Sequence, residues 1–93
     1  MKRTLILSNA FVRAVKKMLR KKPHCVDDVK KALKHLEEDA FHPSLKTHKL
    51  TGCLAGSWAS SAGYDLRIIF SFIKEHGKET ILLESIGTHD EVY

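Results

Sequence analysis

Cysteine is scarce in this chain: Cys25 and Cys53 are the only two in 93 residues, and they sit in unrelated segments. Their spacing supports neither a disulfide framework nor a thiolate zinc site, so reduced thiols are expected. Proline occurs twice and glycine five times, with no repeat, linker or low-complexity segment. No apolar run approaches the length of a membrane span. The opening Met-Lys-Arg-Thr-Leu-Ile-Leu-Ser has too short an apolar part for a signal peptide, so a cytoplasmic protein with no membrane contact is expected. Acidic residues are thin in the first half: residues 1–49 hold 13 Lys/Arg against 5 Asp/Glu, and residues 50–93 hold 3 against 6. The halves carry +8 and −3 within a net charge of +5. A basic first half suits an anionic partner, either nucleic acid or an acidic protein. There is no Gly-rich phosphate loop, no defensible Ser–His–Asp set and no metal-ligand pair at recognised spacing. No cofactor and no metal site are therefore expected.

What is present reads as one unit over residues 1–93. Thr4–Leu7 is a short apolar stretch and a candidate first strand, with Ser8 or Asn9 as the N-cap of a following helix. From Ala10 the period turns helical. Phe11, Val15, Met18 and Leu19 share one face, and Arg13, Lys16, Lys17, Arg20 and Lys21 lie opposite. Pro23 disfavours a helical conformation at Lys22 and stops the helix. Val26, Val29, Leu33, Leu36 and Ala40 then mark a second helix from about Cys25 to Asp39. The acidic Glu37, Glu38 and Asp39 at its end oppose the helix dipole, and the sequence alone does not explain them.

After Phe41-His-Pro-Ser the period changes to two. Ser57–Ser61 reads as a strand with Trp58 on its buried side. Gly63–Phe72 reads as the best-formed strand, with Leu66, Ile68, Phe70 and Phe72 on the face toward the helices. Thr80–Ile86 reads as a last, central strand. The fold class is α+β: a short N-terminal strand and a two-helix hairpin packed on one face of a three- to four-stranded, mainly antiparallel sheet.

On the other face of that sheet several polar groups converge. Lys46, His48 and Lys49 enter it, and Asp65 and Arg67 sit at its centre by strict alternation. His89 and Tyr93 follow the last strand. A solvated face with a cross-strand ion pair is the bland reading of Asp65 and Arg67. The set also suits cleavage of an RNA phosphodiester by its own 2′-hydroxyl. That reaction needs a base, an acid and cations around the phosphorane. Histidine serves as either acid or base near neutrality, and arginine offers a fork to phosphate oxygens.

Four stretches carry a family resemblance. They are Phe41-His-Pro-Ser-Leu-Lys-Thr-His-Lys-Leu, the Gly-x-Leu-x-Gly-x-Trp run from Gly52 to Trp58, Gly-Tyr-Asp-Leu-Arg-Ile-Ile-Phe, and Ile-Gly-Thr-His-Asp-Glu-Val-Tyr. Taken in order, they resemble the RelE/ParE superfamily of toxin–antitoxin toxins, most closely its YafQ-like, RelE/StbE-type mRNA interferases. The resemblance implies a metal-independent endoribonuclease acting on mRNA in the 70S ribosome. It also implies an acidic, partly disordered antitoxin, through which the complex binds operator DNA. By matching position, His48, Asp65, His89 and Tyr93 resemble acid/base and substrate-contacting residues, and Arg67 a phosphate-supporting arginine. Lys46 and Lys49 stand where that branch carries phosphate-binding lysines. Ser61 stands where a YafQ-type toxin has another histidine. The alternative within the superfamily is a ParE-like toxin that inhibits DNA gyrase without a nuclease site.

Overall fold

A computed structural model describes residues 2–93. Strand β1 (Thr4–Leu7) leads into helix α1 (Asn9–Lys21), a short 3-10 turn and helix α2 (Val26–Glu38). Strands β2 (His48–Lys49), β3 (Trp58–Ala62), β4 (Leu66–Glu75) and β5 (Lys78–Thr88) follow, and a single-turn helix α3 (His89–Val92) closes the order. The class is α+β, as expected. The sheet has five strands in the order β1-β5-β4-β3-β2, because the N-terminal strand joins it rather than lying apart. β1 runs parallel to β5, Thr4 opposite Thr80 through Leu7 opposite Leu83, and every other pairing is antiparallel.

The two helices form where the period placed them. Ser8 caps α1, its hydroxyl accepting from Phe11 N at 3.0 Å. Phe11 and Met18 are buried, with Ala14, Val15 and Leu19 packed against the core. In α2 the buried seam is Val29, Ala32 and Leu36. One acidic residue at its end has a physical explanation: Asp39 is the C-cap in extended conformation, and its Oδ1 accepts from Phe41 N at 3.0 Å. A short polar side chain that bonds its own backbone two residues on starts a turn. Both helices bury these faces against Leu66, Ile68 and Phe70 of β4 and Ile81, Leu83 and Ile86 of β5.

The strand read as Gly63–Phe72 begins later, at Leu66, and runs to Glu75. Gly63, Tyr64 and Asp65 form the β3–β4 turn. Gly63 has φ +69°, a conformation that favours glycine, and a Cβ there would press on the Asp28 side chain of α2. Tyr64 is 97% exposed, not packed under the hairpin. Cys25 is buried and Cys53 exposed, both as free thiols. No helix among the described residues is long and apolar enough to cross a membrane.

Candidate active site on the open face of the sheet

His48 lies opposite Ala59, Ala59 opposite Ile69, and Ile69 opposite Ser85; one row along, Ser61 lies opposite Arg67 and Arg67 opposite Gly87. Residues directly opposite in a ladder project to the same side. His48 and Arg67 therefore share the face turned away from α1 and α2.

The approach to His48 is held by a hydroxyl clip. Thr47 Oγ1 donates to Ala40 O at 2.6 Å and lies 2.7 Å from Ser60 Oγ, which is fully buried. Lys46 adopts a left-handed backbone, φ 50°, and its carbonyl is 3.0 Å from His48 Nδ1. A carbonyl only accepts, so Nδ1 carries the hydrogen and Nε2 of the neutral ring is left as an acceptor. Lys46 thus reaches His48 through its backbone. The Lys49 ammonium lies 5.5 Å from the centre of the Trp58 ring, at the sheet edge.

At the other end of the face, Gly87 allows α3 to fold back closely: a Cβ on it would lie 3.1 Å from Glu91 Cβ. A reciprocal cap holds that single turn. Thr88 N donates to Glu91 Oε1 at 2.8 Å, and Glu91 N donates to Thr88 Oγ1 at 3.4 Å. The spacing of one helical turn then sets the His89 and Tyr93 rings edge to face, centres 4.5 Å apart. His89 is exposed, with Nδ1 3.5 Å from Asp90 Oδ1.

Tyr93 is the common neighbour. It lines a groove of about 440 Å³ together with His48, Lys49 and Leu54. Burial pushes its phenol up from the ordinary value of 10.0, while the nearby Arg67 charge pulls the other way. The phenol therefore stays protonated at neutral pH. Arg67 is anchored by its own turn, Nη1 donating to Leu66 O at 2.9 Å and to Tyr64 O at 3.4 Å.

Asp65 is not brought to this group. Strict alternation would aim it beside Arg67, but Asp65 precedes the strand and belongs to the turn. Its carboxylate pairs with Lys22 at the end of α1, on the helix side. That hydrogen bond raises Lys22 from its ordinary value. Among the described residues no three His, Cys, Asp or Glu side chains are grouped to hold a metal ion.

Thr47, Ser60 and the Thr88–Glu91 cap escape a reading that looks only for acids, bases and cations. The cap was legible, since Thr-x-x-Glu is its signature. The clip was not, because Thr47 and Ser60 meet only across the sheet.

A model of the YafQ family, bacterial toxins of type II toxin–antitoxin systems, matches residues 3–93. The chain belongs to the YafQ toxin family. Solved structures agree in fold. YafQ from Escherichia coli superposes with a TM-score of 0.78 at 18% identity, covering 99% of each chain. The YafQ chain of the E. coli DinJ–YafQ toxin–antitoxin complex gives 0.76 at 19%, covering 100% of this chain and 99% of that one. A metal-bound toxin from Helicobacter pylori gives 0.76 at 23%, covering 100% of both. No curated protein matches by sequence.

The cap yields a pH prediction for this YafQ-family chain. The Thr88 backbone hydrogen bond, then the Thr88 hydroxyl, lowers Glu91 from its ordinary 4.5. A depressed folded value means that the stabilisation of α3 is complete above about pH 4.5 and is lost as pH falls through the lowered value. The Thr88 amide resonance should report this as an acid transition that Glu91→Gln abolishes. Loss of such a cap costs about 1 kcal/mol of helix stability, so Thr88→Ala should weaken the nuclear Overhauser contact between the His89 and Tyr93 rings at neutral pH. An unchanged contact would show that the strand alone places α3.

Proposed function

We propose that this YafQ-family toxin is an endoribonuclease that cuts mRNA on the ribosome and so stops translation. The observation that carries the reading is the gathering of two imidazoles and a guanidinium around Tyr93 on one open sheet face.

In this reading His48 Nε2, left as acceptor by the Lys46 carbonyl, takes the proton of the 2′-hydroxyl. The 2′-oxygen attacks phosphorus, and the bond to the 5′-oxygen breaks. Protonated His89 delivers a proton to that leaving oxygen, giving a 2′,3′-cyclic phosphate and a 5′-hydroxyl end. Arg67 stabilises the charge that builds on the non-bridging oxygens. Tyr93, protonated, donates to the phosphate or stacks on a base. Lys46 and Lys49 hold flanking phosphates. Asp65, paired with Lys22, steadies the turn that presents Arg67 and takes no proton from substrate.

The partner that this reading adds is an acidic, partly disordered antitoxin, through which the complex binds operator DNA. The likeness to the DinJ–YafQ complex supports an antitoxin partner, and the basic first half of the chain supports its acidity. A second groove, of about 520 Å³, runs between α1 and α3, with Lys17, Lys21 and Lys22 around apolar Met18, Leu66 and Ile86. It borders β5 beyond Leu83, where β1 no longer pairs with it. Acidic and apolar side chains together would fit there.

The test is induction of the protein in growing bacteria, with the 5′ ends of transcripts mapped. Cuts in phase with the reading frame that vanish when translation is blocked are expected. Intact messages with induction of the DNA-damage response would overturn the reading and favour the gyrase-directed alternative.

A further inference from the structure

Between β4 and β5 the ladder slips by one residue: Ile69 lies opposite Ser85, but Phe70 lies opposite Leu83. Glu84 is the extra residue of a bulge, without a partner across the ladder. The slip decides which way it points. Leu83 faces the core with Phe70, whereas Ser57 Oγ donates to Glu84 Oε1 at 2.8 Å. Ser57 precedes Trp58 and alternates with Ala59 and Ser61, whose partners on β4 are Ile69 and Arg67. Glu84 therefore presents its carboxylate to the same open face as Arg67 and His48. A bulge that re-aims a side chain at the centre of a sheet is a feature often found beside active sites.

This carboxylate is half-buried and belongs to none of the ion pairs among the described residues. On a face that takes a polyanion it repels phosphate, so what it meets must be a hydrogen-bond donor. An ionised carboxylate has about four lone-pair sites, and Ser57 uses one of them. Gly87, the residue beside Arg67, is three positions further along β5, about 10 Å at the usual rise. That distance suits the base of a nucleotide next to a phosphate held at Arg67.

Only guanine offers a carboxylate two adjacent donors, N1–H and the exocyclic amino group. Adenine and cytosine offer one amino group each, and uracil one ring N–H. We propose that Glu84, fixed by Ser57 on the bulge, forms a base-selecting subsite for guanine beside the scissile phosphate. The inference rests on the nuclease reading of the same face for its position, but the binding it asserts is measurable without cleavage.

The test is titration of isotope-labelled protein with each of the four nucleoside 3′-monophosphates, followed by the amide resonances of Ser57, Glu84 and Arg67. Guanosine 3′-monophosphate should bind about tenfold or more tightly than the other three, the discrimination usual for a bidentate pair. Glu84→Gln keeps an acceptor for Ser57 but loses the charge and the second acceptor. It should melt with the wild type and lose the guanylate preference. Ser57→Ala, which frees the carboxylate without altering it, should blunt the preference several-fold. Equal binding of the four nucleotides, or a preference that survives Glu84→Gln, overturns the subsite. Mapping of cut sites separates this from the nuclease reading. Wild-type protein that prefers guanylate yet leaves messages intact overturns the nuclease and keeps the subsite. Cuts with no guanine enrichment at any neighbouring position overturn the subsite and keep the nuclease.

Discussion

A protein carrying both Arg67→Ala and His89→Ala is expected to lose its inhibition of growth while remaining folded. Removing one well-placed charge-stabilising donor usually costs about 100- to 1,000-fold in rate. A lost general acid costs about 100- to 10,000-fold. On the nuclease reading the two losses would not multiply, since both groups would act on one transition state. Neither exchange disturbs the core. His89 is exposed, and the hydrogen bonds that Arg67 makes go to the carbonyls of Leu66 and Tyr64 in its own turn. Thermal unfolding of the double variant should therefore track the wild type, and on the nuclease reading its cleavage of ribosome-bound message should fall to background. Full toxicity at equal expression would remove both residues from the chemistry.

Phe70→Ala is expected to have the largest effect on stability. Phe70 is fully buried where the helices meet β4, and its ring meets Phe72 edge to face with centres 5.4 Å apart. Replacing a buried phenylalanine by alanine costs about 3–5 kcal/mol, from lost transfer energy and the cavity left behind. Small proteins are stable by about 5–15 kcal/mol in total, so the variant should unfold at much lower urea concentration. A loss under about 1 kcal/mol in that titration would mean that the core collapses around the gap. Leu66 and Ile68 share this face, so the same cavity would loosen the strand that presents Arg67 on its other side.

The buried half of the molecule was legible because burial leaves a period. Phe11 and Met18 on α1, Val29 and Leu36 on α2, and Leu66, Ile68 and Phe70 on β4 all lie where spacing put them. The open face was legible only in part. His48, Arg67, His89 and Tyr93 were named from their chemistry and a family resemblance, and they do share a neighbourhood. Strict alternation misplaces Asp65, because the chain turns at Gly63, with its positive φ, before β4 begins at Leu66. The placing of Glu84 is not legible in the sequence, because a bulge is a property of two strands in register, and one strand's sequence does not contain its partner's. The parallel seating of β1 beside β5 was hidden for the same reason. Its partners lie far along the chain, and only the completed sheet brings them together.

That seating has a consequence in time. Thr4 waits for Thr80, and Leu7 for Leu83. Until β5 has been synthesised, β1 has no strand beside it, and the apolar faces of α1 and α2 lack half of what covers them. Contacts so distant in sequence form late. His89 and Tyr93 come later still, beyond the strand that closes the sheet. A partly made chain therefore holds His48 and Arg67 without the second imidazole or the phenol. On the nuclease reading, a nascent chain that has not yet extended past β5 carries no complete site.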